Sequence, residues 1–86
     1  MDPGLHVRQA VNHLEKVLAY APYVTEEGRA MVALTPEDWG VVADALFHMD
    51  TPREVLPAAI TEYRMVDSGR AIELDTAECV ITVEAG

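Results

Sequence analysis

The spacing of apolar residues changes along this chain, from helical near its start to alternating near its end. Between residues 4 and 21, apolar side chains recur every three or four positions with charged ones between them, a spacing that puts them on one face of a helix. Residues 64–83 are instead rich in β-branched side chains and alternate, which is typical of strands. Because a chain with both periods must bury its helices against a sheet, the sequence predicts an α+β domain.

Proline residues mark the expected helix boundaries. Asp2 and Pro3 supply an N-cap acceptor and a first helical residue, and Pro22 ends the first helix near residue 21. The pattern Thr-Pro-x-acid then occurs twice, at 35–38 and 51–54, with threonine at the N-cap and an acid near the positive end of the helix dipole. These starts predict a second helix to about residue 49. They also predict a third helix, with a kink at Pro57 or a short turn and a fresh start there.

Four segments are predicted as strands around short turns. Residues 29–34 are short and apolar, which suits a buried strand or a helical turn, and we favour the strand. Residues 64–66 and 71–75 flank an Asp-Ser-Gly turn, and residues 79–83 follow a second connection. We therefore expect about three helices on a small, mostly antiparallel, three- to four-stranded sheet with a C-terminal hairpin. A length of 86 residues predicts a single domain, 1–86.

The net charge of −9 is concentrated in two segments of the chain. Residues 35–50 and residues 67–86 each sum to −4, and the rest contributes −1. Nucleic acids and anionic membranes attract basic surfaces, so we expect neither to bind directly. An acidic surface instead attracts a basic surface on a protein partner. The alternative is that the charge serves solubility alone.

The candidate partner-binding residues are carboxylates that their spacing places together. Glu37 and Asp44 are seven residues apart and share a helix face, and Asp38 lies beside Glu37. Glu73 and Asp75 point to one side of a strand. Tyrosine is favoured at interfaces. For the two tyrosines on either side of the predicted end of the first helix, however, we favour a role in covering the end of the core. The acidic set is completed by Glu26 and Glu27, and the candidate aromatic contacts are Tyr20 and Tyr23.

Catalytic and metal-binding patterns are missing from the sequence. His6 and His13 are two helical turns apart, ~10.5 Å, which is too far for both to bind one zinc ion. Cys79 lies among apolar residues, where a thiol is inert, and Ser68 sits in a tight turn. We therefore expect a protein that is not an enzyme and that has no metal and no cofactor. A small enzyme or metal protein is the third-ranked hypothesis.

The N-terminus and the cysteine content bear on where the protein is found. The N-terminus has neither the basic region nor the apolar run of a signal peptide. No apolar run approaches the ~20 residues that span a bilayer. A single cysteine cannot form an internal disulfide and suits a reducing cytosol. We therefore expect a cytoplasmic protein.

In size, acidic charge and lack of a catalytic motif, the chain resembles the small phage-encoded inhibitors of bacterial defence, the anti-CRISPR proteins among them. The resemblance covers the whole chain without a shared motif, so no residue roles carry over. It implies a non-enzymatic inhibitor or adaptor that binds an effector subunit and blocks its nucleic-acid path. The alternative is a structural or assembly module, or a homodimer formed through an apolar stripe or a sheet edge.

Overall fold

The computed structural model describes residues 3–20 and 28–86, where helices pack on one face of a four-stranded sheet. The helices are α1, Pro3–Tyr20, and α2, Pro36–Ala43, which a π-helical turn extends over Asp44–His48. The strands are β1, Arg29–Leu34; β2, Ile60–Val66; β3, Ala71–Thr76; and β4, Val80–Ala85. The predicted α+β class is therefore confirmed, and residues 29–34 form a strand.

The sheet is mixed, in the order β1-β4-β3-β2. The pairs β2–β3 and β3–β4 are antiparallel, so the predicted C-terminal hairpin is confirmed. β1 runs parallel to β4, with Arg29 opposite Val80 and Leu34 opposite Ala85. The parallel pair joins segments that are 51 residues apart in the chain, as Arg29 and Val80 are, so no local pattern shows it.

The core lies between the helices and one face of the sheet. The sheet contributes Ile72 and Leu74 from β3 and Ile81 and Val83 from β4, all fully buried. They pack with buried residues of both helices, namely Ala10, Leu14, Val17, Val42 and Ala43. Alternate side chains of a strand point to opposite sides. The residues between the buried ones therefore form a second side, which no helix covers in the described part of the chain and which we call the open face.

The second helix begins and ends close to its predicted positions. Thr35 is its N-cap, and the hydroxyl oxygen accepts a hydrogen bond from the backbone N–H of Asp38 at 3.2 Å. Pro36 is the first helical residue. The helix continues through the π turn to His48, against a predicted end near residue 49. Local capping chemistry was therefore sufficient to place this element.

The predicted third helix is wrong. Arg53–Val55 form a single 3-10 turn, and Thr51 does not cap it, because its hydroxyl donates to the carbonyl oxygen of Ala45 at 2.7 Å. Leu56 has the extended ψ of 152° that a following proline favours. The turn therefore stops before Pro57, and no fresh helix starts there.

The apolar spacing that suggested this helix belongs to a bulged strand. Ile60 pairs with Thr76 and Glu62 with Asp75, so β2 contains one extra residue, Thr61. The bulge lets Ile60 and Tyr63, three residues apart, both reach the core. A spacing of three is also the helical one, which explains the incorrect prediction.

Candidate protein-binding surfaces

The predicted acidic residues lie on two different sides of the molecule. Asp38 and Asp44 belong to the helical layer, on α2 and the π turn that follows it. Glu73 and Asp75 lie on the open face, since the residues that alternate with them in β3 are buried beneath the helices. The structure therefore brings the acids together as two groups, one on each side of the core.

The remaining predicted residues are near the end of α1 or beyond it. Tyr20 is the last residue of α1, and its side chain is 64% exposed. Tyr20 therefore does not cover the end of the core, contrary to the interpretation that we favoured from the sequence. Tyr23, Glu26 and Glu27 lie outside the described residues.

The first group, Glu37, Asp38 and Asp44, is called here the α2 acidic face. Two of its carboxylates are opposed by histidines of α1. Nε2 of His13 lies 3.4 Å from Oδ1 of Asp38, and Nε2 of His6 lies 3.7 Å from Oδ2 of Asp44. A residue early in α1 thus meets one late in the α2 segment, so the two helices run antiparallel. The sequence contained a signal for this pairing. The histidines are seven residues apart, which is close to the six-residue spacing of the aspartates.

In the described part of the chain, no lysine or arginine neutralises Asp38 or Asp44 of the α2 acidic face. Their side chains are 41% and 53% exposed, and Glu37 is exposed beside them. A neutral imidazole does not cancel the charge of a carboxylate. With the histidines neutral, this face therefore presents three negative charges to solvent.

A polar groove of about 470 Å³ lies between α1 and α2 next to this face. Its lining is Gln9, Asn12, His13 and Lys16 of α1 with Glu37, Asp38 and Val41 of α2. Lys16 forms no ion pair with the described acids. Carboxylates on one wall and amides on the other can hydrogen-bond a guanidinium or an ammonium group. The carboxylate wall of the groove can therefore bind the end of an arginine or lysine side chain, while Lys16 on the α1 wall opposes a second cation.

The second group, called the open-face cluster, consists of Glu62, Arg64, Glu73 and Asp75. Arg64 donates to Glu73, and it donates to Asp75 through both terminal nitrogens, with Nη1–Oδ1 at 3.2 Å and Nη2–Oδ2 at 2.5 Å. Nη2 also lies 3.7 Å from Oε2 of Glu62. The hydrogen bond from Arg64 lowers the pKa of Asp75, while burial works against it to a smaller extent. One arginine thus balances part of the charge of three carboxylates.

Arg64 is a residue of this cluster that the sequence analysis did not select. The signal was present in the predicted hairpin, because strands flanking the Asp-Ser-Gly turn place Arg64 opposite Glu73. Opposite charges that face each other across two strands attract.

Within residues 3–20 and 28–86, no three His, Cys, Asp or Glu side chains are arranged to hold a metal ion. In the same ranges, no helix has both the length and the apolar character required to cross a bilayer. Cys79 is half-buried just before β4, and its Sγ lies 3.6 Å from the hydroxyl oxygen of Thr76.

Comparison with known proteins found no match among protein-family models, curated proteins or solved structures.

Proposed function

We propose that this protein is a non-enzymatic inhibitor or adaptor whose α2 acidic face occupies a basic surface on a protein partner. The observation that supports this most directly is the exposure of Asp38 and Asp44 without a lysine or arginine partner among the described residues. A partner that supplies those cations forms charge-assisted hydrogen bonds without displacing a lysine or arginine of this chain.

The open-face cluster is less suited to this role. A partner arginine that approaches Asp75 meets a carboxylate that already accepts two hydrogen bonds from Arg64. Glu73 is bound to the same guanidinium. Competing with Arg64 costs part of the energy that binding would gain, so the α2 acidic face is the better candidate.

Binding through the α2 acidic face is a way to inhibit a partner protein without catalysing a reaction. Surfaces that bind nucleic acid are rich in lysine and arginine. Carboxylates on a negatively charged protein are drawn to such a surface, which speeds association, and they exclude phosphates from it. In a bacterial defence complex, the class of target that the resemblance implies, an occupied nucleic-acid path prevents recognition of the invading genome.

The proposal is tested by reversing the three charges together, as Glu37→Lys, Asp38→Lys and Asp44→Lys. Tagged wild-type and variant proteins are used to capture partners from a lysate of the source cell at about 50 and 500 mM salt. Bound proteins are identified by mass spectrometry, and the dissociation constant is then measured with the purified partner. We expect a basic protein that wild type captures at low salt, releases at high salt and loses on reversal.

A second triple variant, Glu15→Lys, Glu54→Lys and Glu78→Lys, provides the matched control. These acids are exposed outside the α2 acidic face, and their reversal changes the net charge by the same amount. We expect the control to retain most of the binding, and circular dichroism should show that both variants fold. If both triple variants bind the partner equally well, or lose it equally, the α2 acidic face is not the binding surface.

A further inference from the structure

We propose that two copies of this chain associate edge to edge through β1, antiparallel, around a two-fold axis beside Met31. The β1 edge is a different surface from the α2 acidic face, and association through it goes beyond the proposed function. The occupant of the edge is a second copy of the same strand, extending the four-stranded sheet to eight strands.

The hydrogen bonds of β1 show which backbone groups face outward. The carbonyl oxygens of Gly28 and Leu34 accept from Val80 and Gly86 of the β4 side, at 2.9 and 2.7 Å. In a parallel pair, every second residue of a strand bonds to the same neighbour. Met31 and Ala33 therefore direct their N–H and C=O groups away from β4, and no described residue bonds to them there.

The outward N–H and C=O groups of β1 allow this strand to pair with the same strand of a second copy. In an antiparallel pair, two opposite residues can exchange both of their backbone hydrogen bonds. Placing Met31 opposite Met31 of the second copy makes such a pair at the two-fold axis. Arg29 of each copy then lies opposite Ala33 of the other. A shift by one residue would oppose outward groups with inward ones, so registers that differ by one residue are excluded.

The two edges of the sheet differ in how well they resist pairing. β2 carries Glu62 and Arg64 and is bulged at Thr61, and charges and bulges are devices by which natural sheets block edge association. β1 has no bulge, no proline and no carboxylate over its six residues. The side chain of Met31, at its middle, is 59% exposed. Of the two edge strands, β1 is therefore the one open to a partner strand.

The register also brings opposite charges together. Within one copy, Ala33 lies beside Glu84 of β4, while Arg29 lies beside Val80, four residues away from Glu84. In the dimer, Arg29 of the second copy lies on the other side of Ala33, ~9.6 Å or two strand spacings from Glu84. Because Ala33 is small, the two long side chains can meet above it. The two-fold axis repeats this ion pair, which exists only between copies.

Salt should have opposite effects on the dimer and on the binding of a basic partner. Each copy carries a net charge of −9, so two copies repel each other at long range. Salt screens that repulsion and should strengthen the dimer, whereas it should weaken binding to a basic partner. Because the two proposals involve different surfaces and predict opposite effects of salt, a result that contradicts one of them does not contradict the other.

The test is sedimentation equilibrium of the full chain from about 10 µM to about 1 mM, at low and high salt. We expect the average mass to rise towards twice that of the monomer, and more so at high salt. Met31→Lys should weaken association at least about tenfold, since edge lysines oppose pairing. Thr82→Lys is the matched control, because Thr82 is the neighbour of Met31 on the open face but lies on a central strand. It should associate like wild type.

A charge exchange tests the register. Arg29→Glu should weaken the dimer, and adding Glu84→Arg to it should restore most of the loss. A mass that stays monomeric up to about 1 mM overturns the proposal. So does a dimer that Met31→Lys and Thr82→Lys affect equally. A dimer that the charge exchange does not restore overturns the register.

Discussion

At the scale of single residues, Arg64 determines the electrostatics of the open face. The strand register places it opposite Glu73 and on the same side of the sheet as Glu62 and Asp75. Its planar guanidinium donates two hydrogen bonds to Asp75 and another to Glu73, a geometry that a lysine ammonium cannot reproduce. Without this arginine, three carboxylates would repel one another across two adjacent strands.

The variant Asp75→Asn should reduce the acid sensitivity of the fold. The hydrogen bond from Arg64 lowers the pKa of Asp75 in the folded state. The stability that this carboxylate contributes is therefore fully present above its unfolded pKa of about 4, and is lost as pH falls through the lower folded value. The difference in unfolding free energy between wild type and Asp75→Asn should narrow as pH falls from about 5 to about 2. Urea denaturation followed by circular dichroism measures it.

The control for Asp75→Asn is the removal of a carboxylate that has no arginine partner like Arg64. Glu78→Gln removes an exposed acid that forms no ion pair in the described part of the chain. Its stability difference from wild type should change little with pH. Parallel pH profiles for wild type, Asp75→Asn and Glu78→Gln would show that the Arg64–Asp75 pair does not contribute to acid unfolding.

At the scale of elements, α2 is attached to the sheet at Trp39. The indole Nε1 donates to the carbonyl oxygen of Val83 in β4 at 3.1 Å, and the ring packs against the core. Because Asp38 directly precedes this residue in the helix, the hydrogen bond also sets how the α2 acidic face is presented. Trp39 therefore links the packing of the helix to the orientation of the proposed binding surface.

The variant Trp39→Phe should lower the unfolding free energy by about 1–2 kcal/mol. The carbonyl of Val83 loses a donor, and the smaller ring leaves part of the contact with the core unfilled. Because Trp39 is the single tryptophan, urea denaturation should be followed by circular dichroism rather than by fluorescence. Tyr20→Phe, at an exposed position, should stay within about 0.5 kcal/mol of wild type. A loss for Trp39→Phe as small as that of the control would argue against this anchor.

At the scale of the whole molecule, the excess of acid lies on both sides of the core and opposes compaction. The α2 acidic face and the open-face cluster are both net negative, and the chain as a whole carries −9. Like charges brought together by folding repel one another, and dissolved salt screens that repulsion.

Sodium chloride should therefore stabilise the fold. We expect the thermal midpoint to rise between about 20 and 500 mM salt, measured by circular dichroism at a fixed protein concentration. The triple variant Glu15→Lys, Glu54→Lys and Glu78→Lys changes the net charge from −9 by +6 to −3, and its midpoint should respond less to salt. An equal or larger response in this variant would mean that self-repulsion is not the cause.

Much of the secondary structure could be predicted because its causes are local. Thr35 and Pro36 place the start of α2, and the turn at Asp67–Gly69 places the hairpin between β2 and β3. The third helix could not be excluded in this way. Ile60 and Tyr63 share the core through a bulge that forms only when β2 pairs with β3, and a pairing partner is not visible in a local pattern.

The sequence by itself determined the helix starts, the change from helical to strand spacing and the total charge, since each depends on residue type and near neighbours. Only the tertiary structure decided which carboxylates remain unmatched. Long-range pairing placed Arg64 among the acids of the open face and set histidines rather than lysine or arginine opposite Asp38 and Asp44. The electrostatic interaction of two charges depends on their distance in space, and folding sets that distance between residues far apart in the chain.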